Sequence, residues 1–340
     1  MRISKNIISI YLIFMIILFF LIAVITDGFM ESWRGFLELQ LHPGRLINDF
    51  FALVGIGGTL LNASLVGLIG VVLIYTTGIS FSGPTFAAIF TMMGFGLFGK
   101  TPLNILPIIL GVTLSAHLVG KKLRDYMIIA LFGTALGPLV SVLFLETGLM
   151  LWQGLILGVL GGIAAGFILP SLAVAMLHMH QGYSLYNMGL TCGFLGIFAA
   201  SLLKAAGLPF ENALAWYSEE ILLLKLLVPF LSLVLIFTGF VKEKVRVFSS
   251  FWAIQKQSGR LPSDFADMES SGGAFLNAGL IGLAGSALVF IVGADFNGPV
   301  IGGLMTIMGF GAFGTHFRNS WSVVAGVAFS CLVFSKPLSD

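Results

Sequence analysis

Apolar residues run along this chain in blocks of bilayer length, separated by short polar joints. Blocks occupy 7–25, 50–77, 126–146, 149–178, 185–205, 219–241 and 273–293. An α-helix needs roughly 20 apolar residues to cross hydrocarbon, so these blocks predict crossing helices. Four shorter runs, 83–98, 102–119, 298–314 and 320–335, predict shorter helices. Segment 27–49 mixes Glu31, Trp33, Arg34, Glu38, His42 and Arg45 and reads as interfacial. The one long polar stretch is 242–272, with KEKVR at Lys242–Arg246 and QKQSGR at Gln255–Arg260.

The short runs form the same pair twice. FSGPTFAAIFTMMGFGLFG runs from Phe81 to Gly99, and FNGPVIGGLMTIMGFGAFG from Phe296 to Gly314. The match continues without a gap from Leu61 to Val112 against Leu276 to Val327, with about two positions in five identical. Shared composition explains Leu and Val. It does not explain Asn62/Asn277, Gly83/Gly298, Pro84/Pro299, Thr91/Thr306 and Asn104/Asn319 in register. The chain carries an internal repeat.

Of 340 residues, 58% are hydrophobic and 9% are charged, with a mean hydropathy of +1.04. A soluble domain carries about a quarter charged residues, so the outer solvent of this chain is expected to be lipid. The net charge of +2 gives no reason to expect nucleic acid as a partner. Cys192 and Cys331 show no metal or redox spacing. The N-terminal run leaves through Thr26-Asp27-Gly28 without a small-residue cleavage site and reads as an uncleaved anchor. Arg2 and Lys5, Lys121, Lys122 and Arg124, and Lys242, Lys244, Arg246, Lys256 and Arg260 all fall on the cytoplasmic side if 83–98 crosses fully. The acidic loop around Glu211, Glu219 and Glu220 then lies outside. An odd number of crossings separates the copies, which predicts an inverted repeat.

Candidate chemistry is sparse. A Gly-Pro pair after Ser82 or Asn297 is a helix start, because proline early in a helix gives up only an unpartnered N–H. A helix from Pro84 to Gly99 is only about 24 Å long. One end is therefore expected at membrane depth, where two such N-termini (Gly83-Pro84 and Gly298-Pro299) could meet a polar solute; short packed helices are the alternative. Gly94–Gly99 and Gly309–Gly314 spell GxGxxG but close apolar helices, so close helix packing is the reading rather than a nucleotide. Phe95, Phe98, Phe310 and Phe313 either flank a slot or pack. Asn62 and Asn277 sit inside crossing helices as solute ligands or as bundle glue. Thr91 and Thr306 repeat in register beside them. The unpaired cluster His178-Met179-His180-Gln181-Gly182-Tyr183-Ser184-Leu185-Tyr186-Asn187 offers His178, His180, Tyr186 and Asn187 as polar groups near the membrane, or an ordinary turn. It lacks a metal spacing. Asp295 stands where the first copy has Ser80, and Lys204 and Lys225 lie near helix ends.

These elements, with LFGTALGPL at Leu131–Leu139 and HQGYSLYNMG at His180–Gly189, resemble an uncharacterised family of bacterial and archaeal multi-pass membrane proteins, a domain of unknown function often present twice per chain. The resemblance implies a polytopic membrane location and supplies no activity. A looser likeness is to urea-type channels, with two inverted halves and phenylalanine-flanked slots. The expected architecture is an all-α polytopic membrane helix bundle with an inverted repeat. Its segments are an anchor and interfacial part at 1–45, a first repeat at 46–245, a cytoplasmic linker at 246–272 and a partial second repeat at 273–340. The second copy ends without a counterpart of the His180 cluster, which leaves two expectations: the chain is truncated, or another subunit or a second copy of the chain is a partner that completes it. The function expected is a transporter or channel for a small polar solute in a prokaryotic cell membrane, without cofactor. The alternatives are a lipid-directed enzyme using His178, His180 and Tyr186, or an assembly subunit.

Overall fold

The computed structural model describes residues 7–42, 48–208 and 215–337. Arg2, Lys5 and Glu211, used above for topology, and Arg45 of the interfacial segment lie outside the described residues. A first group of helices comprises α1 (Ile7–Asp27), α2 (Phe29–Gln40), α3 (Phe50–Thr77), α4 (Gly83–Phe95) and α5 (Pro102–Leu118). Then come α6 (Met127–Gly133), α7 (Gly137–Leu145), α8 (Leu151–His180) and α9 (Asn187–Ala205). The last group is α10 (Leu222–Glu243), α11 (Arg246–Ile254), α12 (Phe265–Met268), α13 (Ser271–Val292), α14 (Gly298–Phe313) and α15 (Phe317–Val333). Among the described residues seven segments are long and apolar enough to cross a membrane, each within three residues of a block read from the sequence. The protein is a polytopic membrane helix bundle. Its lipid-compatible outer face includes Ile197, Phe194 and Phe198 on α9, all well exposed.

The repeated unit is larger than sequence identity indicated. A shift of 215 residues aligns Asn62 with Asn277, and it also takes Ile7 to Leu222 and Leu118 to Val333. Packing follows the same shift. Helix α1 lies on α3 as α10 lies on α13, and α2 lies on α3 as α11 lies on α13. Asp27, ending α1, accepts the Gly57 amide at 2.6 Å; Glu243, ending α10, accepts the Gly272 amide at 2.9 Å. Helix α3 breaks at Gly55 (φ 73°), a conformation that costs glycine little, and its opening turn corresponds to the separate α12. The equivalence therefore covers 7–118 and 222–333. Helices α6 to α9 are interposed between the units, so the His180 cluster belongs to neither copy and has no counterpart to lack.

The units meet along α4 and α14, which run antiparallel. Gly83, opening α4, lies against the Ala312 carbonyl near the end of α14, and Gly298, opening α14, lies against the Leu97 carbonyl just past α4. Between these ends, a Cβ on Gly94 would stand 2.7 Å from the Gly302 oxygen, and one on Gly309 would stand 2.9 Å from the Ala87 Cα. Only glycine permits that approach. The copies are thus reversed with respect to each other. Tyr11 ties the outer helices across this seam: its hydroxyl donates to the Leu231 carbonyl at 2.8 Å, and its ring stands among Phe86, Phe90 and Phe275.

The interposed helices break the symmetry. They cover α5, where Gly111 sits against the Ile163 carbonyl of α8. The equivalent α15 buries no residue among those described, and its Gly326 faces open space.

Candidate functional site

Both Gly-Pro helices start as their sequence dictates. The Ser82 amide donates to Thr85 Oγ1 at 2.8 Å, and Asn297 Oδ1 accepts the Val300 amide at 2.9 Å. Proline at the second helical position removes a donor that has no intrahelical partner. One further amide at each start is taken by a carboxylate of the other unit. Asp264 Oδ1 accepts from Gly83 at 3.1 Å, and Asp49 Oδ2 accepts from Gly298 at 3.0 Å. Each carboxylate also caps its own segment, Asp49 through the Phe51 amide and Asp264 through the amides of Ala266 and Asp267. Burial pushes the Asp49 carboxyl up to about 6, against the amides it accepts, and raises that of Asp264 in the same way.

This arrangement corrects the expectation that Gly83-Pro84 and Gly298-Pro299 meet at one solute. Antiparallel packing places the two starts at opposite ends of the α4–α14 pair, and each is filled by a protein carboxylate. Asn62 and Asn277 are corrected likewise. Both are fully buried, and their amide nitrogens hold the turns after the Gly-Pro helices. Asn62 Nδ2 donates to the carbonyls of Gly96 and Lys100 at 2.7 and 2.8 Å, and Asn277 Nδ2 donates to those of Gly311 and Thr315 at the same distances. Through these nitrogens both act as structural ties, the bundle glue that is the other reading of them.

A cavity of about 330 Å³ opens beside the middle of the crossing. Thr91 and Phe95 of α4 and Thr306, Phe310 and Phe313 of α14 form one side; Phe132, Ala135, Ala173, Tyr186 and Asn187 of the interposed segment form much of the other. Both threonine hydroxyls donate to their own helix, Thr91 to Ala87 O and Thr306 to Gly302 O, each at 2.8 Å. Their lone pairs remain free to accept. Aromatic rings pack at tilted angles around it, with Phe132 at 5.5 Å and Tyr186 at 4.7 Å from Phe310. Phe98 lies behind, against Phe95 at 4.7 Å, and does not line the space. A larger groove of about 880 Å³ runs under α15, lined by the second unit and by 183–186. It lies on one copy's outer side, whereas the smaller cavity draws matching residues from both.

Neither histidine lines the cavity. His178 is exposed at the end of α8. His180 Nε2 stands 2.8 Å from Asn187 Oδ1, and Asn187 Nδ2 donates to Ala173 O at 3.1 Å, so His180 fixes the orientation of a lining residue. Tyr186 shares a hydrogen bond with Thr315 Oγ1 at 2.9 Å, joining the interposed segment to the second unit. Among the described residues no three His, Cys, Asp or Glu side chains converge as metal ligands.

Sequence reasoning passed over Asp49, Asp264 and Lys100. The carboxylates had a signal: Gly44-Arg45-Leu46-x-x-Asp49-Phe50 matches Gly259-Arg260-Leu261-x-x-Asp264-Phe265 at the same shift. Lys100 had a weaker one, standing directly after the repeated glycine-phenylalanine motif where the second copy has Thr315. Its side chain is fully buried. Its Nζ donates to Thr134 Oγ1 at 2.9 Å and lies 4.9 Å from the centre of the Phe95 ring.

No curated protein and no solved structure matches the chain. A family model matches residues 29–205 and 243–340, most of the chain, in two segments. The chain belongs to the family described as "Protein of unknown function (DUF1576)".

Proposed function

We propose that the protein carries a small polar solute across a prokaryotic cell membrane, with its N-terminus cytoplasmic, through the cavity beside the α4–α14 crossing. The observation that carries this reading is the make-up of that cavity. Equivalent residues of two reversed units, Thr91 with Thr306 and Phe95 with Phe310, converge on one space of about 330 Å³. Reversed units with a shared site at their interface are the architecture of many secondary transporters, in which one unit rocks against the other. The volume lies at the lower end of the range for ligand pockets, which suits a small solute. The reciprocal caps give each end of the seam its own closure, Asp264 on Gly83 and Asp49 on Gly298. The basic clusters Lys121–Arg124 and Lys242–Arg246 follow α5 and α10, whose ends are an even number of crossings apart. They therefore fall on one side, supporting a cytoplasmic assignment for both.

Uptake into proteoliposomes tests the reading. Wild type should admit at least one member of a panel of labelled small solutes faster than protein-free liposomes. Thr306→Phe, which fills the cavity, should abolish that flux while the protein stays monodisperse. Val327→Phe, on the exposed face of α15, should leave it unchanged. Flux through wild type equal to the protein-free blank for the whole panel would defeat the proposal.

A further inference from the structure

Lys100 is the feature that neither the repeat nor the fold explains. An ammonium offers three donors. Here one goes to Thr134 Oγ1, which itself donates to the Leu131 carbonyl, and the Phe95 ring lies beneath the charge. Among the described residues no carboxylate stands within ion-pair distance of it. The ionisable neighbour that faces it is the buried Cys192 thiol of α9. A charge buried in a membrane bundle is costly and is ordinarily paired. Asn62 and the turn at Gly99–Thr101 hold its backbone through buried hydrogen bonds, so the side chain is rooted in place.

Its position relative to the cavity gives the charge a use. Phe95, on which Nζ rests, is a lining residue, and Thr134 lies between the lining residues Phe132 and Ala135. The ammonium is therefore one side chain behind the wall. The lining holds no charged side chain of its own. At the equivalent place in the second unit Thr315 is neutral and engaged by Tyr186. A single lysine amino group without a carboxylate partner thus stands against an otherwise uncharged, largely apolar space.

We propose that the cavity takes a small monoanion, held by Lys100 once the Phe95 ring swings aside. This rests on the transport reading and sharpens it by naming the class of solute. The anion supplies the counter-charge that the protein withholds, and Phe95 shields the ammonium while the site is empty. A neutral solute gains nothing from this arrangement, and a cation is repelled.

Two readouts test the proposal and separate its failure from that of transport. Proteoliposomes are assayed with labelled lactate, chloride, urea and choline, and detergent-solubilised protein is assayed for a thermal shift with sodium lactate and chloride at constant ionic strength. Wild type should take up an anion and be stabilised by it. Lys100→Met should lose both, uptake falling by at least about tenfold, while its size-exclusion profile is kept. Uptake of urea or choline alone would leave transport standing and overturn the anion assignment. Equal anion uptake and thermal shift in Lys100→Met would overturn it as well. If no solute crosses but anions still shift wild type and not Lys100→Met, the anion site stands and transport falls. Absence of both flux and shift rejects the two together. Should Lys100→Met fail to fold, Phe95→Ala decides: it should strengthen the anion-dependent shift, and an unchanged shift would count against the proposal.

Discussion

Asp49 Oδ2 accepts the backbone amide of Gly298 at 3.0 Å, across 249 positions of sequence. Asp264, its equivalent, does the same for Gly83. The relationship is reciprocal, so each unit completes the first turn of the other's Gly-Pro helix. These contacts fix the relative height of α4 and α14, and with it the register that brings Thr91 and Thr306 to one cavity.

Removing either carboxylate should therefore weaken the seam. Asp49→Ala and Asp264→Ala are each expected to lose about 1–3 kcal/mol, the cost of leaving partly buried amides without an acceptor. Asp49→Asn and Asp264→Asn keep an acceptor oxygen and should lose less. Denaturation in detergent checks this, and an alanine variant as stable as its asparagine counterpart would contradict it.

Asp49 also predicts a dependence on pH. Its carboxyl titrates at about 6 in the fold against 3.8 as its ordinary value, because burial disfavours the charge. Below about pH 4 both folded and unfolded chains hold the proton. Between about 4 and 6 only the folded chain holds it, so this group's contribution to stability falls as pH rises through that window and is level above it. The total change is of order 3 kcal/mol at most. Wild type should lose stability relative to Asp49→Asn between pH 4 and 6.5; a difference independent of pH would rule out the assigned burial effect.

The close crossing makes a contrast between glycines. Gly94→Val places a branched side chain where even a Cβ meets the Gly302 oxygen at 2.7 Å, and it should abolish folding or cost several kcal/mol. Gly303, on the same helix pair, has nothing within 4 Å of its Cβ position. Gly303→Ala should be neutral or stabilising by about 0.5–1 kcal/mol, since alanine suits a helix better. Expression and melting temperature distinguish the two directly.

Reversal itself is open to labelling. Ser80 and Asp295 occupy equivalent places before the two Gly-Pro helices. With Cys192 and Cys331 replaced by serine, Ser80→Cys and Asp295→Cys should react with an impermeant maleimide from opposite sides of the membrane. Labelling of both from one side would be incompatible with antiparallel copies.

Much of the fold could be read from the chain because crossing a bilayer imposes its own length. The blocks at 50–77 and 185–205 became α3 and α9 with nearly unchanged limits. The repeat was visible where glycine, proline and asparagine are needed for close contact, between Leu61 and Val112. It was invisible in α1 and α10, whose outer faces are held only to being apolar and share only leucines, Leu12 with Leu227 and Leu18 with Leu233. The cavity was half legible: Thr91, Phe95, Thr306, Phe310 and Phe313 were named, as were Tyr186 and Asn187. Phe132 was missed because only tertiary packing brings α6 to the crossing. Gly83, Pro84, Asn62 and their partners were recognised as special for the right physical reason, an uncapped helix end or a buried amide. What the sequence could not show was that a carboxylate of the other unit already takes an amide at each Gly-Pro start, and that the Asn62 amide nitrogen already holds two backbone carbonyls.

The exchanged caps carry a consequence for ancestry. A lone unit would leave its aspartate without the distant amide and its Gly-Pro helix without the distant carboxylate. Two identical units related by a true twofold axis would supply both at once. The exchanged caps are thus what two like units lying head to tail would make, and a single chain that holds both units has that pairing built in, while the interposed helices, embracing α5 but leaving α15 bare, make its two halves unequal.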